Sequence, residues 1–110
     1  MNAEIVALDR ALARTGETIT LRRGTTTAPT ALATVKAHVR GYKPEELIGG
    51  ITQTDSLVTL SPTDLVAANW PMPPKKGDWA IIQGRARSVE VVGLIVAADV
   101  LVRIEMRVLG

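Results

Sequence analysis

Few residues in this chain could do chemistry, and their spacing does not bring them together. His38 is the only histidine and there is no cysteine. A transition-metal site needs three or four converging nitrogen, sulfur or carboxylate ligands, and a nucleophilic site needs a Ser or Cys within reach of a base that is itself oriented. His38 has no second His or Cys and no Ser or Asp at motif spacing, and it shares a polar alternation with Thr34, Lys36 and Arg40. It is expected to be a surface residue. Glu45 and Glu46 are adjacent, so their carboxylates point in different directions, as on the solvent face of a helical turn rather than in an acid/base pair. Gly49-Gly50 lacks the spacing and the Lys-Ser/Thr of a phosphate-binding loop. The residues therefore predict no catalytic group, no metal and no cofactor, and an interaction module rather than an enzyme.

The elements that surround these residues are mostly strands. The chain has 110 residues, one domain by length, with 46% hydrophobic and 22% charged residues. There is no Phe, with two Trp and one Tyr, so the core must be built from Val, Ile, Leu and Ala, types that favour strands. The absence of cysteine excludes disulfides and thiolate metal sites and fits a reducing compartment. No apolar run approaches the roughly 20 residues that span a bilayer, and Met1 to Glu4 lacks the charged start and apolar stretch of a secretory signal. A formal charge of +2, with basic and acidic residues interspersed, is too small to imply nucleic acid on its own.

Along the chain, Asn2 to Arg14 predicts a helix capped by Asn2, with Ile5, Leu8 and Leu12 on one face and Gly16 in the left-handed position that ends many helices. That stripe either covers the chain's own barrel or docks a partner. Glu17 to Arg23 predicts a strand with Ile19 and Leu21 inward. Gly24 to Thr30 connects it to a second, in which Ala33, Val35, Ala37 and Val39 alternate with polar residues. Asp55 to Leu60 is a short strand. Ser61-Pro62-Thr63-Asp64 then has the form of a helix start, with Ser61 as cap and Asp64 to answer it, and the helix runs to about Asn69.

Trp70 to Val89 is the stretch around which the rest is arranged. Pro71, Pro73 and Pro74 bar helix and central strand, Lys75 to Asp78 turns the chain at Gly77, and Gly84 turns a hairpin between Trp79–Gln83 and Arg85–Val92. Val89 to Ala98 continues as strand, interrupted or bent at Gly93, and Ala98-Asp99 turns into the last strand. There Val100, Val102, Ile104, Met106 and Val108 face one side, and Arg103, Glu105 and Arg107 the other. The sum is a mainly β fold, six or seven antiparallel strands in a small, partly closed barrel or sandwich, with an N-terminal helix and one short inserted helix.

One connection is too long for a hairpin. Tyr42, Lys43, Pro44, Glu45, Glu46, Leu47, Ile48, Gly49, Gly50, Ile51, Thr52 and Gln53, closing at Thr54, join two strands, where two to five residues are usual. Leu47, Ile48 and Ile51 need something to bury them, and Gly49-Gly50 offers a hinge or a close approach. The segment either folds back on its own domain as an Ω-loop or reaches another subunit or partner.

The run Asp9-Arg10-Ala11-Leu12-Ala13-Arg14-Thr15-Gly16-Glu17, continuing to Arg23, resembles the opening of tailed-phage head–tail joining proteins, also called head-closure or stopper proteins. Arg40-Gly41-Tyr42-Lys43-Pro44-Glu45-Glu46-Leu47 followed by Gly49 to Gln53 resembles that family's long loop. Leu60-Ser61-Pro62, Trp70-Pro71 and Pro74-Lys75-Lys76-Gly77-Asp78 resemble its second half, in the same order. The resemblance implies a β-barrel virion component, assembled in the bacterial cytoplasm into a ring of about twelve copies. It implies an adaptor or portal ring above and tail or tail-terminator proteins below. Packaged DNA would be retained and contacted without sequence specificity, and residues 42–53 would reach the channel or a neighbouring ring. The alternative is a monomeric nucleic-acid-binding β-barrel, although the aromatic residues on which such barrels stack bases are nearly absent here.

Overall fold

The computed structural model describes residues 2–42 and 55–109. Its elements are α1 (Ala3–Thr15), β1 (Glu17–Gly24), β2 (Pro29–Gly41), β3 (Ser56–Leu60), α2 (Pro62–Ala67), β4 (Trp79–Ile82), β5 (Arg85–Ala97) and β6 (Val100–Val108). The six strands close into an antiparallel barrel in the order β1-β2-β3-β6-β5-β4, so the expected barrel is fully rather than partly closed.

Strand alternation builds the core directly. Ile19 and Leu21 of β1, Ala33, Val35 and Ala37 of β2, Val58 and Leu60 of β3, Ala80 and Ile82 of β4, and Ile104, Met106 and Val108 of β6 are all buried in one cluster. Alanines at 33, 37 and 80 leave room for the Leu, Ile and Met side chains, and so aliphatic residues fill the small interior with no Phe. The parity expected for β6 holds from Val102 to Val108, while Val100 stands past the barrel and is 41% exposed. His38 is exposed on the outer face, opposite Thr59 of β3.

The helix termini follow their sequence signals, with two corrections. Asn2 Oδ1 accepts from the backbone N–H groups of Glu4 and Ile5 at 2.9 and 3.2 Å. Gly16, expected in the left-handed region, is extended at φ −77°, ψ 162°. Its requirement is steric instead: a Cβ there would lie 2.6 Å from the Leu12 carbonyl oxygen and 3.1 Å from that of Ala37. In α2, Ser61 Oγ accepts from Thr63 N at 3.2 Å as expected. Asp64, expected to answer the cap, accepts from Lys36 N on β2 at 2.9 Å and so ties the helix to the barrel wall.

The end of α2 is a Schellman motif on Asn69, a residue whose short side chain tolerates φ 57°. Trp70 N donates to Leu65 O at 2.9 Å and Asn69 N to Val66 O at 3.1 Å. Leu65 and Trp70 are then delivered together into the barrel core. Pro71 follows, so helix cannot continue.

The hairpin turns fall where the sequence places them. Gln83 and Gly84 join β4 to β5 with φ of 51° and 79°, and Ala98 and Asp99 join β5 to β6 with φ of 50° and 65°. β5 is not interrupted at Gly93, which stays in register opposite Glu105. The irregularities lie elsewhere. Glu90 is the extra residue on β5 between the 89↔108 and 91↔107 pairs, and Val102 is the extra residue on β6 between 95↔103 and 96↔101.

Candidate interaction surfaces

The strongest polar construction holds the Trp70–Asp78 stretch. The Asp78 carboxylate is buried and receives Arg23 from β1 in a fork, Nε to Oδ1 at 2.8 Å and one terminal nitrogen to Oδ2 at 3.0 Å. Asp78 Oδ2 also accepts from Lys75 N at 2.8 Å, closing the turn at Gly77. The same guanidinium donates to the carbonyls of Pro71 and Pro73 at 3.3 and 3.1 Å and lies 5.1 Å over the Trp70 ring. The prolines have no N–H to offer, and so one arginine gathers their carbonyls. The hydrogen bond to Asp78, aided by its charge, holds Arg23 above its ordinary pKa against the opposite pull of burial. Sequence reasoning missed this pair, because Gly-Asp before a strand reads only as a turn.

A second ion pair stands at the root of the 43–54 connection. Asp55 is buried immediately before β3 and accepts from Arg107 of β6 at 3.2 Å. Arg87 Nε donates to the Leu109 carbonyl at 2.7 Å close by. Burial, with Arg85 adding to it, pushes the Arg87 guanidinium below its ordinary pKa, and the Asp55 carboxylate acts in the other direction. These are anchoring contacts, since none presents a reactive atom to an open cavity.

Of the residues that the sequence singled out, Tyr42 is described at the end of β2, with Arg40 5.9 Å over its ring. Lys43, Pro44, Glu45, Glu46, Leu47, Ile48, Gly49, Gly50, Ile51, Thr52 and Gln53 lie outside the described residues. On α1, Leu12 is buried against the chain's own barrel, so it is not available to a partner. Ile5 and Leu8 are half-buried. Leu8 lines a groove of about 410 Å³ with Glu4, Ala7, Ile95, Val102 and Arg103, which is what the helix can offer.

Two further surfaces were not legible as sites. On the outer face of the barrel, registered pairs place Leu32, Arg22, Trp79 and Ser88 in one row across β2, β1, β4 and β5. Thr34, Thr20, Ile81 and Ala86 form the next. Leu32 is 54% exposed, and Arg22 lies 5.6 Å over the Trp79 ring. The other surface is the upper part of the β5–β6 hairpin, where Val91, Leu94, Val96 and Val100 are exposed.

Among the described residues no group of three His, Cys, Asp or Glu could hold a metal ion, and no helix is long and apolar enough to cross a membrane. The described residues present a closed barrel with exposed apolar side chains on its outer face and on the β5–β6 hairpin. Compared with known proteins, the chain matches no family model and no curated protein.

Proposed function

We propose that this chain is a structural subunit of the head–tail connector of a tailed bacteriophage. It acts as a ring-forming head-closure (stopper) protein that joins the portal or adaptor ring to the tail and retains packaged DNA. The observation that carries this reading is the closed six-stranded barrel behind an N-terminal helix, with β2 and β3 in register from Ala37↔Leu60 to Gly41↔Ser56. That register brings Gly41 and Ser56 side by side at one barrel end, so the long connection between them starts and finishes there, where the resemblance of the sequence to head–tail joining proteins implies a long loop.

The surfaces support it as well. A subunit in a ring of about twelve copies touches its two neighbours through different patches. The α1 groove around Leu8 and the outer row of Leu32, Arg22 and Trp79 lie on different elements and supply two such patches. In this reading the chain is a virion component, with the adaptor or portal ring on one side and tail or tail-terminator proteins on the other. DNA in the channel is contacted through its backbone, without sequence specificity.

Arg22 stacked on Trp79 favours one other reading, a nucleic-acid-binding barrel, because an aromatic face beside a cation is what a single strand uses. Two measurements separate the readings. Connector complexes isolated from particles should contain the chain as a closed ring, and the free chain should not bind DNA at physiological salt. Single copies in the connector, or tight salt-sensitive DNA binding by the free chain, would reverse the choice.

A further inference from the structure

The barrel is closed at its base, yet one of its strands keeps an open edge. β4 pairs with β5 only from Arg85 to Ser88, and the backbone of Gly77 and Asp78 takes up Val89. From Glu90 to Ala97, β5 has β6 on one side and no strand or helix among the described residues on the other. α1 stands by the hairpin on its β6 side, and its Glu4, Ala7 and Leu8 share a groove with Ile95 of β5 and with Val102 and Arg103 of β6.

Proteins usually blunt such an edge with lysines, prolines or an inward charge. Past the bulge at Glu90 this one carries none: Val91-Val92-Gly93-Leu94-Ile95-Val96-Ala97 is wholly uncharged. Val91, Leu94 and Val96 are 53%, 45% and 58% exposed. By alternation Leu94 and Val96 share one face of the ribbon and Val91 and Ile95 the other, where Ile95 meets the α1 groove and Val91 stays exposed.

We infer that the β5 edge pairs with the β5 edge of a second copy of this chain, antiparallel about a two-fold axis at Leu94. The edge is complementary to itself. In that register Val92 meets Val96, Val91 meets Ala97 and Gly93 meets Ile95, so no like charges face each other. The result is a continuous β6-β5-β5-β6 sheet, in which each ribbon gains the third and fourth strands that a two-stranded hairpin lacks. The edge is about 24 Å long at strand rise, and with its exposed side chains the pair buries on the order of 1,000 Å² in total, the low end for specific association. The pairing is accordingly reversible. It goes beyond the connector reading and does not depend on it, because a two-fold contact runs along the β5 edge and shares only Ile95 with the α1 groove assigned to the head-to-tail contacts of a ring.

The test is the mass and amide exchange of the free full-length chain. At about 100 µM, well above a micromolar dissociation constant, sedimentation equilibrium should give twice the mass of one chain. Val96→Lys and Val91→Lys, one on each face, should each reduce it to a single chain with unchanged far-ultraviolet circular dichroism. Amides from Val91 to Ala97 should exchange slowly in the wild type and at least tenfold faster in either variant. Leu32→Lys, on the outer row assigned to ring contacts, should leave the pair intact, so a failure of the ring reading shows separately. A wild-type chain of single mass overturns the proposal, whether its edge amides are protected by the chain's own segment or left open for another partner. A pair that survives both lysine variants overturns it equally.

Discussion

Arg23 and Asp78 stand 55 residues apart in sequence and meet in a forked ion pair of 2.8 and 3.0 Å, with the carboxylate buried and the arginine side chain 20% exposed. The pair ties β1 to the turn before β4, two strands that close the barrel. Arg23→Ala leaves a buried carboxylate without its partner and should cost about 3 kcal/mol in urea unfolding. Arg23→Lys should recover only part of that, because an ammonium cannot make the fork. The exposed Arg103–Glu105 pair at 3.4 Å is the control, and Arg103→Ala should cost about 0.5 kcal/mol or less. Equal losses at the two sites would contradict the assignment.

Ile104 is fully buried on β6 and its neighbour Arg103 faces out. Ile104→Asp puts an unpaired charge in the core at a cost of several kcal/mol, on the order of the whole stability of a small domain, and should be recovered only as insoluble protein. Arg103→Ala should stay soluble with a nearly unchanged melting temperature. Similar behaviour of the two would mean that the parity of β6 is wrong.

That parity was legible because period two with one buried face admits a single register, and the same holds for Ile19 and Leu21 of β1 and Ala33, Val35 and Ala37 of β2. Interactions set by tertiary placement were not legible. Asp64 has the spacing of a capping-box residue but is spent on Lys36 N, and Asp78 looks like a turn residue until β1 brings Arg23 to it. Breaks in register were not legible for a related reason: Gly93 suggested an interruption, but the extra residues are Glu90 and Val102, which no local propensity marks. The run from Val91 to Ala97 reads as strand, and its open edge exists only because β4 is four residues long. On α1, spacing put Ile5, Leu8 and Leu12 on one face but could not say that Leu12 alone is fully covered.

Gly16 gives a test of packing rather than of backbone conformation. Gly16→Ala would place its Cβ 2.6 Å from a backbone oxygen, so the junction of α1 and β1 must shift, at a cost of about 2 kcal/mol. Gly77→Ala meets open space but sits at φ 97°, and should cost about 1 kcal/mol through the backbone alone. Thermal melts of the two variants should fall in that order. The reverse order would contradict the close approach at the Leu12 carbonyl.

Gly41 and Ser56 are registered partners across β2 and β3, so a tight turn can join them. Replacing Lys43 to Gln53 with a short Gly-Ser turn should leave the isolated barrel folded, because closure entropy changes only slowly with loop length. In particles the same replacement should give filled heads that lose DNA or fail to join tails. An unfolded isolated domain would instead make Leu47, Ile48 and Ile51 part of the core packing.

The connector reading rests on where the chain sits and in how many copies. The direct measurement is electron microscopy of connectors purified from particles, with the density at the head–tail joint assigned to this chain. The expected result is one closed ring of about twelve barrels between the portal or adaptor ring and the tail, with residues 43–54 directed to the channel or to the adjoining ring. Particles that lack the chain at the joint, or that hold it there as isolated single copies, would contradict the proposal.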